Sequence, residues 1–175
     1  MEITSLKLLN FRNYESLEIK FSKTNIIYGL NGMGKTNLVE AIYILGFTKT
    51  FRLGSEDVVI KKGKNIAKIE GLIKDNIFNN YKLIISDTGK RIKKDEVIIT
   101  NSIKIDNNKI AKVSDYITKV NIILFSPDDL KIIKDTPMTR RRLLNIEISG
   151  INSTYLNYLT NYNKILKQRN SYFLY

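Results

Sequence analysis

The chain has 175 residues, 43% of them hydrophobic, and carries 29 Lys plus Arg against 17 Asp plus Glu for a formal net charge of +12. That length and apolar content suffice to bury one ordinary core, which excludes a disordered chain. Cys and His are both absent; disulfide staples, zinc fingers, thiol nucleophiles and imidazole bases are excluded, leaving chemistry to phosphates, metal ions and carboxylates.

No run approaches the ~20 apolar residues of a membrane span. The first residues alternate charged and apolar types where a signal peptide needs an apolar block. A cytoplasmic protein without membrane attachment is expected. The positive balance points to a polyanionic partner such as nucleic acid. Lysine is, however, spread among many Ile and Asn, as an AT-rich genome would also produce, so charge alone does not choose between these readings.

In chain order, Ile3, Leu6, Leu8 and then Leu17, Ile19, Phe21 show alternation and predict two strands joined around Asn13-Tyr14. A third apolar run, Asn25 to Tyr28, predicts a strand that ends in a glycine-rich segment. Leu38, Ala41, Ile42 and Leu45 then recur at helical spacing and predict a helix from about Lys35 to Phe47. Short alternating runs at Lys68–Lys74, Tyr81–Ser86 and Glu96–Ile99 predict an antiparallel meander, broken at Asp75–Asn80 and Asp87–Gly89. A further hairpin is expected at Ile103–Ile110 about Asn107-Asn108, and a helical turn at Val113–Ile117. Val120–Phe125 has the continuous apolar character of a strand buried on both faces. Ser126-Pro127-Asp128 ends it, and a short helix is expected through Ile133. Thr136 as N-cap with Pro137 at the first helical position predicts another helix to Ser149, closed by Gly150. The last segment begins near Asn152 or Ser153 and spaces Tyr155, Leu159, Tyr162, Leu166 and Phe173 as an amphipathic stripe. Such a stripe needs a partner surface, so the chain is expected to be the front portion of a longer protein.

The segment Gly29-Leu30-Asn31-Gly32-Met33-Gly34-Lys35-Thr36 satisfies G-x-x-x-x-G-K-[ST] in full. Its glycines permit the positive φ angles with which backbone N–H groups wrap a phosphate, and the helix from Lys35 aims its N-terminal donors at the same anion. Lys35 is expected on the β- and γ-phosphates of ATP, and the Thr36 hydroxyl on Mg²⁺. The loop stands between a predicted strand and a predicted helix, as the mechanism requires. By itself it admits both a small-metabolite kinase and an ABC-type ATPase head. The strands preceding the P-loop strand favour the ATPase head, because a compact kinase opens on the P-loop strand itself.

Five blocks carry a resemblance: Leu6-Lys7-Leu8-Leu9-Asn10-Phe11-Arg12-Asn13-Tyr14; the loop Gly29–Thr36 continued by Asn37-Leu38-Val39-Glu40-Ala41-Ile42; Phe125-Ser126-Pro127-Asp128-Asp129-Leu130; Arg140-Arg141-Arg142; and Tyr162–Asn170. Together, in this order along nearly the whole chain, they resemble the RecF family, bacterial recombination mediators related to the structural-maintenance-of-chromosomes ATPases.

The resemblance implies an α/β fold: the first lobe of a P-loop ABC-type ATPase head at 1–126, with a mixed sheet plus an antiparallel β subdomain, then the start of a helical arm at 127–175. It implies an ATP-dependent homodimer that binds DNA at single-strand/double-strand junctions without sequence specificity. It further implies RecA loading with RecO and RecR in gap repair, replication and the SOS response. Arg12 and Asn13 would approach the nucleotide. Ser126 to Asp128 would take the place of the ABC Q-loop, although no glutamine stands there. Leu30 replaces a more usual polar residue, which matters little to a loop that works through its backbone.

Hydrolysis in such enzymes needs a Walker B carboxylate pair and a signature serine from the opposite subunit, and neither is visible. The run Ile122–Phe125 followed by Asp128-Asp129 imitates a Walker B strand, but Ser126-Pro127 intervenes, and Asp128 is better placed to cap the next helix. The complete homodimer is accordingly expected to be a slow DNA-stimulated ATPase, and this chain alone to bind nucleotide without turnover. Arg140, Arg141 and Arg142 fall near the positive end of a predicted helix, where cations are disfavoured. They read either as contacts to DNA phosphates or as a solvated face partly paired with Glu147.

Overall fold

A computed structural model describes residues 1–52, 59–75, 79–93, 96–110, 116, 120–125 and 136–172. The chain divides into two compact units, Met1–Val113 and Ser114–Tyr175. The expected turn at Val113–Ile117, apart from buried Tyr116, lies outside the described residues, as do the Ser126–Ile133 segment and Phe173.

The first unit contains β1 (Glu2–Phe11), β2 (Tyr14–Lys20), α1 (Lys35–Phe47), β3 (Ala67–Asp75), β4 (Asn79–Lys93), β5 (Glu96–Ile105) and β6 (Asn108–Lys109). The strands form one sheet in the order β2-β1-β3-β4-β5-β6, with every pairing antiparallel. Alternation along β1 and β3 puts Leu6, Leu8, Ile69 and Ile73 into the core, where α1 adds Leu38, Ala41, Ile44 and Leu45. Close approach of helix and sheet depends on Gly71: a Cβ there would stand 2.6 Å from Leu45 Cδ1. On the opposite side of β3, Glu70 is bridged by Lys68 and, at 3.1 Å, by Lys82.

The first helix has the bounds its periodicity predicts. Gly34 precedes it at φ 100°, and Thr48 ends it at φ 59°, with its N–H on the Ile44 carbonyl at 2.7 Å. The meander differs in two details. β4 continues through Asp87–Gly89, because a register irregularity between Asp87 and Lys90 absorbs the turn-forming residues within the ladder. The last hairpin turns at Asp106-Asn107, both at positive φ, one residue earlier than expected. Asp106 explains the choice: its carboxylate accepts the Lys82 N–H at 2.8 Å while its own N–H reaches the Lys82 carbonyl at 2.9 Å.

Two expected strands are not formed. Asn25–Tyr28 and Val120–Phe125 have no strand assignment, and Ile26, Tyr28, Ile123 and Phe125 are exposed by 86, 90, 89 and 77%. The parallel part of the expected mixed sheet is therefore absent among the described residues. An apolar run becomes a strand only when at least one neighbouring strand pairs with its backbone, and neither run has a ladder among the described residues. Beside the first of them lies a groove of about 280 Å³, lined by Ile19, Phe21, Ile27 and Leu38 among others.

The second unit contains α2 (Pro137–Ile151) and α3 (Ser153–Tyr172). Thr136 precedes α2 in extended conformation and Pro137 occupies the first turn. The helix runs past Gly150, which is buried within its last turn, so the glycine serves packing instead of termination. Asn152 makes the break: its side chain accepts the Tyr155 N–H at 3.0 Å and so caps α3. Tyr155 Oη donates to Asn145 Oδ1 at 2.6 Å and ties the two helices together. No residue of α3 is buried, and Tyr158, Tyr162 and Ile165 stand exposed along it. No helix among the described residues is long and apolar enough to cross a membrane.

Candidate phosphate-binding site

The expected loop stands directly before α1. Gly29, Gly32 and Gly34 have φ angles of 148°, 84° and 100°, a region that L side chains avoid. Around Gly29 and Gly32 no atom lies within 4 Å of where a Cβ would be, so the loop faces open space on that side. Leu30, Asn31, Gly32 and Met33 are exposed, and a turn bond of 3.4 Å from the Met33 N–H to the Leu30 carbonyl closes the loop. Lys35 Nζ donates to the carbonyls of Gly29 and Leu30 at 2.7 and 2.8 Å. These two bonds place the ammonium over the loop's own backbone, with a third donor to spare.

The first turn of α1 contains no acidic residue. Helices ordinarily favour carboxylates there; here the first-turn N–H groups and Lys35 form a positive corner without a carboxylate in the turn. Thr36 is exposed at the second helical position. Among the described residues no group of three His, Cys, Asp or Glu could hold a metal ion by itself. A divalent cation at this corner would need phosphate oxygens in addition to the Thr36 hydroxyl, which suits Mg²⁺ brought in with a triphosphate.

Arg12 and Asn13 form the turn between β1 and β2, closed by the Phe11–Tyr14 pair. The fold brings them against the loop. Asn13 Nδ2 donates to the Met33 carbonyl at 3.3 Å, and Tyr14 Oη donates to the Gly34 carbonyl at 3.1 Å. A Cβ on Gly34 would lie 2.6 Å from Asn13 Nδ2 and 2.9 Å from Tyr14 Oη, so a side chain there would push both groups off the loop in addition to straining the φ. Burial raises the Tyr14 pKa above that of an ordinary phenol, which keeps the hydroxyl a donor. Arg12 itself is at φ 52°. Backbone bonds hold that uncommon conformation: its N–H reaches the Val59 carbonyl at 2.7 Å, and the Lys61 N–H reaches the Asn10 carbonyl at 2.8 Å.

Sequence reasoning gave no role to Glu40, Thr50, Arg52, Asn37 or Tyr14. Glu40 is completely buried in α1. Arg12 grips it with Nε on Oε2 at 3.1 Å and Nη2 on Oε1 at 2.6 Å, the Thr50 hydroxyl donates to Oε1, and Arg52 Nε stands 3.6 Å from Oε2. A signal was available. The run Ala41–Phe47 is apolar almost without interruption, as in a helix covered on more than one face, and a carboxylate beside such a run requires cationic partners. Which cations these are was not legible, since Arg12 is 28 residues away along the chain.

Arg140, Arg141 and Arg142 lie in the first turns of α2, in the second unit, and all three are exposed. Arg141 Nε donates to the Pro137 carbonyl at 3.3 Å.

Residues 2–128 match the family model described as RecF/RecN/SMC N terminal domain. The chain is 41% identical over 172 residues to the DNA replication and repair protein RecF of Oceanobacillus iheyensis, and 39% identical over 174 residues to that of Bacillus subtilis. These alignments cover 97 and 98% of this chain but 44% of each relative, so the chain spans less than half the length of the proteins it matches. Two solved structures of the recombination mediator protein RecF in the RecFOR pathway, one of them described as RecF-ATP, superpose with TM-scores of 0.86 and 0.85 at 32% identity. They cover 97% of this chain and 44 and 43% of theirs. An α/β ATPase-head fold, a G-x-x-x-x-G-K-[ST] loop with its glycines at positive φ, and a family match over residues 2–128 agree: the chain belongs to the RecF/RecN/SMC N-terminal domain family.

Proposed function

We propose that this chain supplies the phosphate-binding half of a composite ATP site in a RecF-type recombination mediator, one that acts on DNA in repair and replication. The observation that carries the proposal is the Gly29–Thr36 loop, with three glycines at positive φ and the Lys35 ammonium over its backbone. A loop of this form holds phosphates through N–H groups and an ammonium, independently of the base. The preference for ATP with Mg²⁺ rests on Thr36 and on the RecF-ATP structure among the similar proteins. Arg12 and Asn13 would flank the nucleotide from the hairpin turn.

In the whole protein, ATP drives a homodimer that binds single-strand/double-strand junctions through phosphate contacts and assists RecA loading with RecO and RecR. Exposed Arg140, Arg141 and Arg142 are candidates for those contacts, since cations in the first turns of a helix gain from an external anion. Hydrolysis is slow and awaits carboxylates and a signature serine that Met1–Tyr175 does not provide. The protein works in the cytoplasm. Family membership supports this reading over a small-metabolite kinase.

The test is a titration of the chain with a fluorescent ATP analogue, with and without Mg²⁺, and of gapped DNA at two salt concentrations. Expected are saturable, Mg²⁺-dependent binding that Lys35→Ala removes, and DNA binding that weakens with salt. Nucleotide binding indifferent to Lys35, or no binding, would refute the proposal.

A further inference from the structure

The contacts around Glu40 close into a ring. Glu40 holds Arg12 through two hydrogen bonds; the next residue, Asn13, accepts from Asn37 Nδ2 at 2.8 Å; Asn37 Oδ1 accepts from Arg52 Nη2 at 2.8 Å; and Arg52 returns to Glu40 at 3.6 Å. The ring joins the β1–β2 turn, two turns of α1 and the segment after α1. It touches the phosphate loop through Asn13 on the Met33 carbonyl and, from the adjoining residue, Tyr14 on the Gly34 carbonyl.

We infer that Glu40 is a positioning residue for the nucleotide: by locking Arg12 and Arg52 against α1 it holds the hairpin turn on the loop and presets the loop for phosphate. The inference rests on the nucleotide-binding reading above. A buried carboxylate between two guanidiniums is a poor device for stability alone, because an apolar set of similar volume serves as well or better. Its geometric effect is distinctive. It pins the Arg12 side chain against α1, beside a turn whose next two side chains grip an otherwise exposed loop. Glu40 touches no phosphate site itself and works through Arg12, Asn13 and Arg52.

Charge and position make opposite predictions. If Glu40 mattered only as a negative charge near the site, Glu40→Gln would leave two guanidiniums uncompensated and tighten triphosphate binding. If it positions the loop, the same variant weakens binding. The experiment titrates the fluorescent ATP analogue against wild type, Glu40→Gln, Asn37→Ala and the double variant, with melting curves recorded alongside. Asn37→Ala opens the ring at its solvent side without stranding a buried charge, so it folds even where Glu40→Gln does not. Expected is binding about tenfold weaker in each folded single variant, with the double variant little worse than either, since both act through one ring. The melting curves, which such coupling also affects, show whether each variant is fully folded at the titration temperature, so that a loss of affinity reports the loop and not unfolding. Unchanged or tighter binding in Asn37→Ala and Glu40→Gln, or fully additive losses, would overturn the inference while leaving nucleotide binding intact. Should Glu40→Gln not fold, unchanged binding in Asn37→Ala overturns it alone. Wild type without affinity for the analogue would overturn both readings.

Discussion

Tyr14 Oη donates to the carbonyl of Gly34 at 3.1 Å, so the residue that starts β2 holds the residue that caps the start of α1. Tyr14→Phe removes this bond and leaves the ring in place. A net hydrogen bond is worth about 1 kcal/mol; the variant should melt a few degrees lower and bind ATP several-fold more weakly. Burial raises the phenol's pKa in the folded protein, so its contribution is complete below the unfolded value of about 10 and is lost as pH rises beyond it. Melting curves of wild type should fall more steeply above that pH than those of Tyr14→Phe.

Gly34 and Gly32 should answer differently to the same change. Both are at positive φ, which costs an alanine about 1–2 kcal/mol. At Gly34 the new methyl also meets Asn13 and Tyr14, whereas at Gly32 it meets nothing within 4 Å. Gly34→Ala should therefore displace the Asn13 and Tyr14 side chains from the loop and lower both stability and nucleotide affinity more than Gly32→Ala, which should retain the fold with a modest loss. Equal melting temperatures for the two variants would contradict this geometry.

Lys35→Ala tests the loop itself. The side chain bonds two carbonyls of the exposed loop, so the unliganded variant should lose about 1 kcal/mol of stability. Its affinity for the ATP analogue should fall at least tenfold. Calorimetry in the presence and absence of nucleotide separates the two effects, because only wild type should gain stability from the ligand.

Glu70 gives a pH dependence away from the loop. Burial alone would raise its pKa, but hydrogen bonds from Lys68 and Lys82 outweigh it and hold the carboxyl below the ordinary range. A depressed folded pKa means the stabilisation is present above the unfolded value of about 4.3 and disappears as pH falls through the lower, folded value. With both lysines partly exposed, the loss should be under about 1 kcal/mol. Glu70→Gln should flatten the acid limb of stability against pH by lowering the neutral plateau by that amount, and should match wild type at the acid end.

Leu45 lies under the sheet at 1% exposure, with Gly71 shaped around it. Leu45→Ala should cost about 2–5 kcal/mol in urea unfolding. A cost under 1 kcal/mol would mean that α1 does not pack on β3 in solution.

Much of the architecture was legible because it is local. The helix Lys35–Phe47 has its apolar spacing within a few residues and its glycine immediately before it, and the hairpin of β1 and β2 follows from alternation on either side of one short turn. The loop's position was legible for the same reason, since its glycines and lysine all fall within eight consecutive residues. Turn positions were less secure: Asp106-Asn107 turns one residue early because a side chain meets Lys82, 24 residues away.

The sequence by itself determined a G-x-x-x-x-G-K-[ST] loop, the helix behind it and the antiparallel strands around them, all from local spacings. Only the tertiary structure decided what stands around that loop. Glu40 finds Arg12 across 28 residues, and Asn13 and Tyr14 reach the loop 20 residues onward. Asn25–Tyr28 and Val120–Phe125, both strand-like in composition, remain without a ladder. Periodicity records which face of a segment is apolar; whether a carboxylate is paired or a strand completed depends on groups that folding brings from far along the chain.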